Sequence, residues 1–240
     1  MVIGEQVRKR RRPVRSSSIR SIRRSELSHA TFEAVVRFGI RGTTLEKVGQ
    51  IAGVSKGVVL HHFRDKSSLL AAVFRRSNTL LSESVVELYR HAESPYERLW
   101  AIIVSNFHET IYNRRVCQAW VSLISEIPHN KQCQRIQITN NARIRSNLLN
   151  ELKHFLGPEE AKLAARLLGV LIDGIWVRSG SLSEPVESKL AIGEAEYAIM
   201  KLLPNDAKSI AKHKAARARM ETIAGIAFGS KAFRDRSIQN

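Results

Sequence analysis

An all-α fold is predicted for this 240-residue chain by three observations. Apolar residues recur at three- and four-residue steps along most of its length, as one buried face of an α-helix requires. The breaks in that pattern fall at or near Pro95, Pro128, Gly157–Pro158, Pro185 and Pro204, where proline is tolerated. No stretch alternates apolar with polar residues as a half-buried strand does. Taken in order, the first 21 residues are rich in Arg and Ser with little apolar content, and read as a disordered basic arm. From about Ile22 the pattern turns helical through Leu27, Ala30, Ala34, Val35 and Phe38, with Gly39 and Gly42 marking the stop. Further helices are predicted at about 45–52, 55–63, 66–91, 95–112, 115–126, 131–155, 159–180 and 186–203. Beyond Pro204 lies a basic extension, 204–240, with a helix-capable stretch from Ile210 to Ala224. The expected organisation is therefore an arm (1–21), a small helical domain (22–66), a larger helical domain (67–203) and the extension.

Charge narrows the class. The net charge of +17 is concentrated at the ends: residues 1–24 hold nine Lys/Arg against Glu5 alone, and residues 204–240 hold eight against three acids. Cationic ends commonly meet a polyanion, and Arg10, Arg11 and Arg12 are candidate DNA contacts, although a solvated tail has the same composition. No apolar run approaches the ~20 residues of a membrane span, and no apolar segment follows the charged N-terminus, so a cytoplasmic protein is expected. Cys117 and Cys133 are too few for a disulfide framework. No phosphate-binding loop, nucleophile elbow or HExxH motif is present, so neither an enzyme nor a cofactor is expected. His61–His62 lie about 100° apart on a helix, a poor pair for one metal ion.

The residues that carry function lie at 43–66. Thr43 and Glu46 have capping-box spacing and start a short helix with Leu45, Val48 and Ala52 as its apolar stripe. Gly53 stands where that helix must end with positive φ. Ser55 is a preferred N-cap for a second helix. Two short helices joined by a glycine turn form a helix-turn-helix, whose second helix enters the DNA major groove. With Val54, Val59, His62 and Phe63 turned inward, Lys56, Gly57, Val58, Leu60 and His61 face out. Gly57 permits close approach, Lys56 and His61 reach phosphate or base edges, and Val58 suits a thymine methyl. Asp65 is placed to cap the next helix and set Lys66 beside a phosphate.

The segment IAGVSKGVVLHHFRDKSSLL at 51–70, with Thr44 and Leu45 ahead of it, resembles the signature of TetR-type regulators. Within that family the chain is similar to the choline-responsive BetI type over about 22–203, through Asn106–Phe107, Trp120, Arg143, Ser146–Asn147–Leu148, Ala164–Ala165–Arg166 and the run from Leu171 to Trp176. The resemblance implies DNA contacts at Thr44, Ser55, Lys56, Val58, Leu60, His61 and Lys66, with an effector pocket and homodimer interface in the C-terminal helices. Leu60 departs from a tyrosine common in the family, a phosphate donor that leucine cannot replace.

A quaternary ammonium effector needs aromatic faces. Trp100, Phe107, Tyr112, Trp120 and Trp176 are the candidates, with Asn147 nearby and Asp173 or Glu126 as counter-charge; the same rings also suit a core. Leu123 and Ile124 stand where the choline-responsive pattern has aromatics, and Arg145 where it has tyrosine, a change that suits a carboxylate. The expectation is a homodimeric repressor on a pseudo-palindromic operator, released by choline or another small amine. An unrelated effector such as a carboxylate remains open, as does a non-specific basic nucleic-acid binder. The dimer is expected from 159–180 and 191–203, through Leu163, Leu167, Val170, Leu171, Ile192 and Ile199.

Overall fold

A computed structural model of the chain describes residues 14–182, 185–230 and 233, with the backbone alone for 14–18. Ten α-helices and one short turn of 3-10 helix account for nearly all of these residues, and no strand occurs among them.

Helix α1 (Val14–Gly42) starts well before Ile22, so residues 14–21 of the expected arm are helical. No Gly or Pro interrupts the stretch from Val14 to Phe38, and a helix nucleated by packing at Leu27 propagates along it at one hydrogen bond per residue. Arg10, Arg11 and Arg12 lie outside the described residues. Regular geometry in α1 breaks at Gly39 (φ 63°, ψ 176°). Helix α2 (Leu45–Ala52) is capped by Thr44, whose hydroxyl accepts from Lys47 N at 3.2 Å. The cap expected from Thr43 is thus one residue out. Thr43 is buried, and its hydroxyl donates to Gly39 O at 2.7 Å, closing the end of α1 instead. Gly53 takes the left-handed conformation (φ 66°) that ends α2, where an L side chain would be strained. Ser55 caps α3 (Lys56–His62), and Asp65 with Ser68 forms a reciprocal capping box on α4 (Lys66–Tyr89).

Then follow α5 (Pro95–Phe107), α6 (Arg114–Ile124), the 3-10 turn Ile127–His129, α7 (Lys131–Leu152), α8 (Pro158–Ser181) and α9 (Ser188–Leu202). Helix α5 stops short of the predicted 112, because His108 turns extended and its carbonyl accepts from Ile111 N and Tyr112 N, both at 2.8 Å. Helix α8 lies hard against α6: a Cβ on Gly180 would come within 2.2 Å of Cys117 O, so only glycine fits that crossing.

The basic extension is where sequence and structure part most. It forms α10 (Ala207–Gly229), which packs on α5 with His213, Ala216, Met220, Ala224 and Phe228 as its buried stripe. The two helices run parallel, with ring contacts from His213 to Tyr96 (4.7 Å) at one end and from Phe228 to His108 (5.1 Å) at the other. Arg219 pairs with Glu97 at 2.6 Å and Glu93 at 2.7 Å, and Arg217 pairs with Glu196 on α9 and Glu221. These cations, expected to serve a polyanion, instead hold α10 to α5 and α9. No described helix is long and apolar enough to cross a membrane.

Two apolar clusters result. A small one joins Leu27, Ala30, Ala34, Val48, Val59, Phe63 and Leu69, and a much larger one fills the bundle formed by α4 to α10. Helices α1 and α4 enter both: Phe32 and Val35 of α1, and Leu70 and Phe74 of α4, face the bundle.

Candidate DNA interface and effector cavities

The small core presents α3. Val59 and Phe63 are fully buried against α1 and α2, while Val54 and His62 are half-buried. With that side anchored, Lys56, Gly57, Val58, Leu60 and His61 are exposed. Val58 and Leu60 show 36% and 42% of their surface to solvent. A Cβ on Gly57 would meet nothing nearer than Ser55 Oγ at 3.6 Å, so the protein itself does not require glycine there. Ser55 and Thr44 are exposed, with their hydroxyl oxygens already accepting the capping bonds of α3 and α2. Lys66 departs from expectation. Its ammonium donates to Ile40 O at 2.6 Å, tying α4 to the end of α1 rather than facing outward.

Arg24, one of the cations counted into the N-terminal charge, is also engaged. Its guanidinium lies 4.3 Å from the centre of the Phe63 ring and donates to His62 O, securing α3 from the α1 side. Burial, with neighbouring His61 and Arg20, holds His62 below the ordinary histidine range, so it packs as a neutral ring. Arg64, exposed in the link before α4, adds a cation at this edge that the sequence reading did not single out.

The five expected effector aromatics are buried, and four form a chain of ring contacts. Phe107 meets Tyr112 at 5.3 Å, Tyr112 meets Trp176 at 5.2 Å, Trp176 meets Trp120 at 6.1 Å, and Phe74 stacks on Trp120 at 5.1 Å. The rings thus pack on one another, mostly edge to face, whereas a cation cage needs faces turned to a ligand. Trp100 lies apart from that chain, with Arg217 of α10 5.9 Å from its ring centre. Asn147 is half-buried on α7. Asp173 borders a groove of about 350 Å³ between α7 and α8, beside Arg145 and Arg166, and burial raises its carboxyl above the usual range.

A different cavity went unnoticed in the sequence. Between α4 and α7 a groove of about 450 Å³ is lined by Arg75 and Asn78 from α4 and Arg135, Thr139, Asn140 and Arg143 from α7. Its cations are too far apart in sequence to form a motif. On the other side of α8, a groove of about 810 Å³ runs between α8 and α9 past Val170, Gly174, Leu190 and Tyr197. Leu163, Leu167, Val170 and Val177 of α8 and Leu190 and Tyr197 of α9 are all exposed. Ile192 and Ile199, expected at that face, are buried in the bundle core.

A helix-turn-helix that holds out one short helix, carried on two helices rooted in an all-helical bundle, defines a DNA-binding regulator. The family comparisons agree. Residues 27–73 match the model of the bacterial regulatory proteins of the TetR family, and residues 95–204 match the C-terminal domain of BetI-type transcriptional repressors. A BetI regulator from Escherichia coli is 35% identical over 191 residues, spanning 78% of this chain and 97% of that protein. A transcriptional regulator from Pseudomonas aeruginosa shares the fold (TM-score 0.63, 23% identity, 86% of this chain and 98% of that one). So does a regulator from Saccharomonospora viridis solved in complex with choline (TM-score 0.66, 16% identity, 75% and 96%). The chain belongs to the TetR family, with a BetI-type C-terminal domain, and is a transcriptional regulator rather than an enzyme. Helix α10 lies beyond both matched segments.

Proposed function

We propose that the protein is a homodimeric repressor that binds a pseudo-palindromic operator through α3 and leaves it when a small molecule binds the C-terminal bundle. The observation that carries the reading is α3 itself, fixed by Val59 and Phe63 on one side and bare on the side of Lys56, Val58 and His61. The exposed stripe on α8 and α9 supports dimerisation: two copies meeting there bury it in a four-helix interface, and their twofold axis sets two recognition helices for two half-sites. Such a regulator works in the cytoplasm, where bacterial DNA lies. Fluorescence anisotropy with the DNA upstream of its own coding region tests the reading. Binding that survives excess scrambled competitor is expected, at a protein mass of two chains by light scattering. Equal affinity for scrambled DNA, or a monomer at micromolar concentration, contradicts it.

A further inference from the structure

The α4–α7 groove combines three features that belong together only around an anion. Arg75, Arg135 and Arg143 converge on it from two helices, and no acidic side chain is among the described residues lining it. Arg143 is half-buried, and burial pulls its guanidinium below the ordinary arginine range. Its Nη2 donates to Asn140 Oδ1 at 2.6 Å and to Asn78 O at 3.3 Å, so it is held in place by neutral acceptors. A desolvated cation calls for a counter-charge, and a guanidinium fork matches a carboxylate.

The third feature is Asn78. It is 95% buried, its amide nitrogen donates to Phe74 O at 2.8 Å, and its Oδ1 has no hydrogen-bond partner. A buried acceptor left bare is costly, and what satisfies it is a donor. Resting on the repressor reading above, we propose that this groove is the effector site and takes a small carboxylate that also carries a hydroxyl. The carboxylate lies among the three guanidiniums and the hydroxyl donates to Asn78 Oδ1. A quaternary ammonium fails on both counts, because it carries the wrong charge and has no donor.

The position of the groove explains how such a ligand acts on DNA binding. At α7's start, Asn130 donates to Ser67 O (3.1 Å) and Ser67 Oγ (2.8 Å) in the first turn of α4, next to the recognition helix. Arg75 stands eight residues further along α4, about 12 Å at the rise of an α-helix. Across the groove, Arg75 of α4 carries the same charge as Arg135 and Arg143 of α7. An anion held from both helices draws α4 towards α7, and Leu69 of α4 shares the small core with Val59 of α3.

Isothermal titration of the full chain with glycolate, acetate and choline, at fixed ionic strength, tests the proposal, with anisotropy on the selected DNA in parallel. Glycolate is expected to bind saturably and to release the DNA, with acetate at least tenfold weaker and choline silent. Arg135→Gln, at an exposed position, and Arg143→Gln should each weaken glycolate at least tenfold. Asn78→Asp, which sets a carboxylate of its own among the arginines, should abolish binding, and an unchanged thermal melt for Arg135→Gln separates loss of site from loss of fold. No glycolate binding, or binding unaltered by Arg135→Gln, overturns the site while leaving operator binding intact. Absence of selective DNA binding removes the repressor reading instead, and the titration still reports on the groove.

Discussion

The DNA-binding unit and the bundle are stabilised in different ways. Around α3, seven buried side chains, of which Phe63 is the only aromatic, form a core too small to fold alone. It is completed by local devices: the Gly53 turn, the Thr44, Ser55 and Asp65 caps, and Arg24 against Phe63. The bundle draws on contacts between residues far apart in sequence, including a helix from the extreme C-terminus. The recognition helix therefore depends on few contacts, each of large effect, and its core is joined to the bundle through α1 and α4. Such an arrangement lets α3 move as a unit when those two helices shift.

The sharpest test of that division is Phe63→Ala, expected to lower stability by about 4 kcal/mol. All three tryptophans lie in the bundle core, so their fluorescence follows the bundle alone. In urea, loss of DNA binding should precede the tryptophan transition; a single transition moved as a whole would make the two cores one cooperative body.

On the bundle side, His213 is buried between Tyr96 and Phe155, and burial lowers its pKa to about 4. An unfolded chain, with a pKa near 6.5, takes up the proton first. Stability is thus fully present above that value and lost as pH falls towards 4, by about 3 kcal/mol. His213→Leu should remove this part of the acid sensitivity, measured as melting temperature against pH. An identical pH profile would place His213 in contact with water.

Gly57→Leu is expected to weaken operator binding at least 100-fold, about 2.7 kcal/mol, by holding α3 off the groove floor. Because a Cβ there meets nothing nearer than Ser55 Oγ at 3.6 Å, an ordinary contact, the melting temperature should stay unchanged. Wild-type affinity in a gel-shift titration would take Gly57 off the DNA face.

The smallest effect belongs to a cap. Ser55→Ala removes the acceptor for Val58 N and should lower stability by about 1 kcal/mol, visible as an earlier loss of DNA binding in urea. No change there would mean that water replaces the cap.

Legibility in the sequence follows the same division. Gly53, Ser55 and Asp65 act within three residues of themselves, so composition and spacing suffice to place them. The cap was read as Thr43 and not Thr44 because two adjacent threonines compete, and the Thr43 hydroxyl is taken by Gly39 O four residues back at the end of α1. Helix α10 was read as an appendage because its own stripe is weak, mostly Ala and Met among lysines and arginines. A cue was present elsewhere: α5 is apolar on all sides from Leu99 to Val104, and such a helix needs cover on every face. The arginine groove had no such cue, since Arg75 and Arg143 are neighbours only once α4 and α7 pack in parallel.

By itself, then, the sequence determined the all-helical class, the helix-turn-helix and the face of α3 turned outward, because periodicity, caps and turns are short-range properties of the chain. Tertiary structure alone decided that the aromatics meet one another, that α10 completes the bundle and that three arginines share a groove. Those outcomes depend on which helices become neighbours, and that is set by burying surface over the whole chain at once.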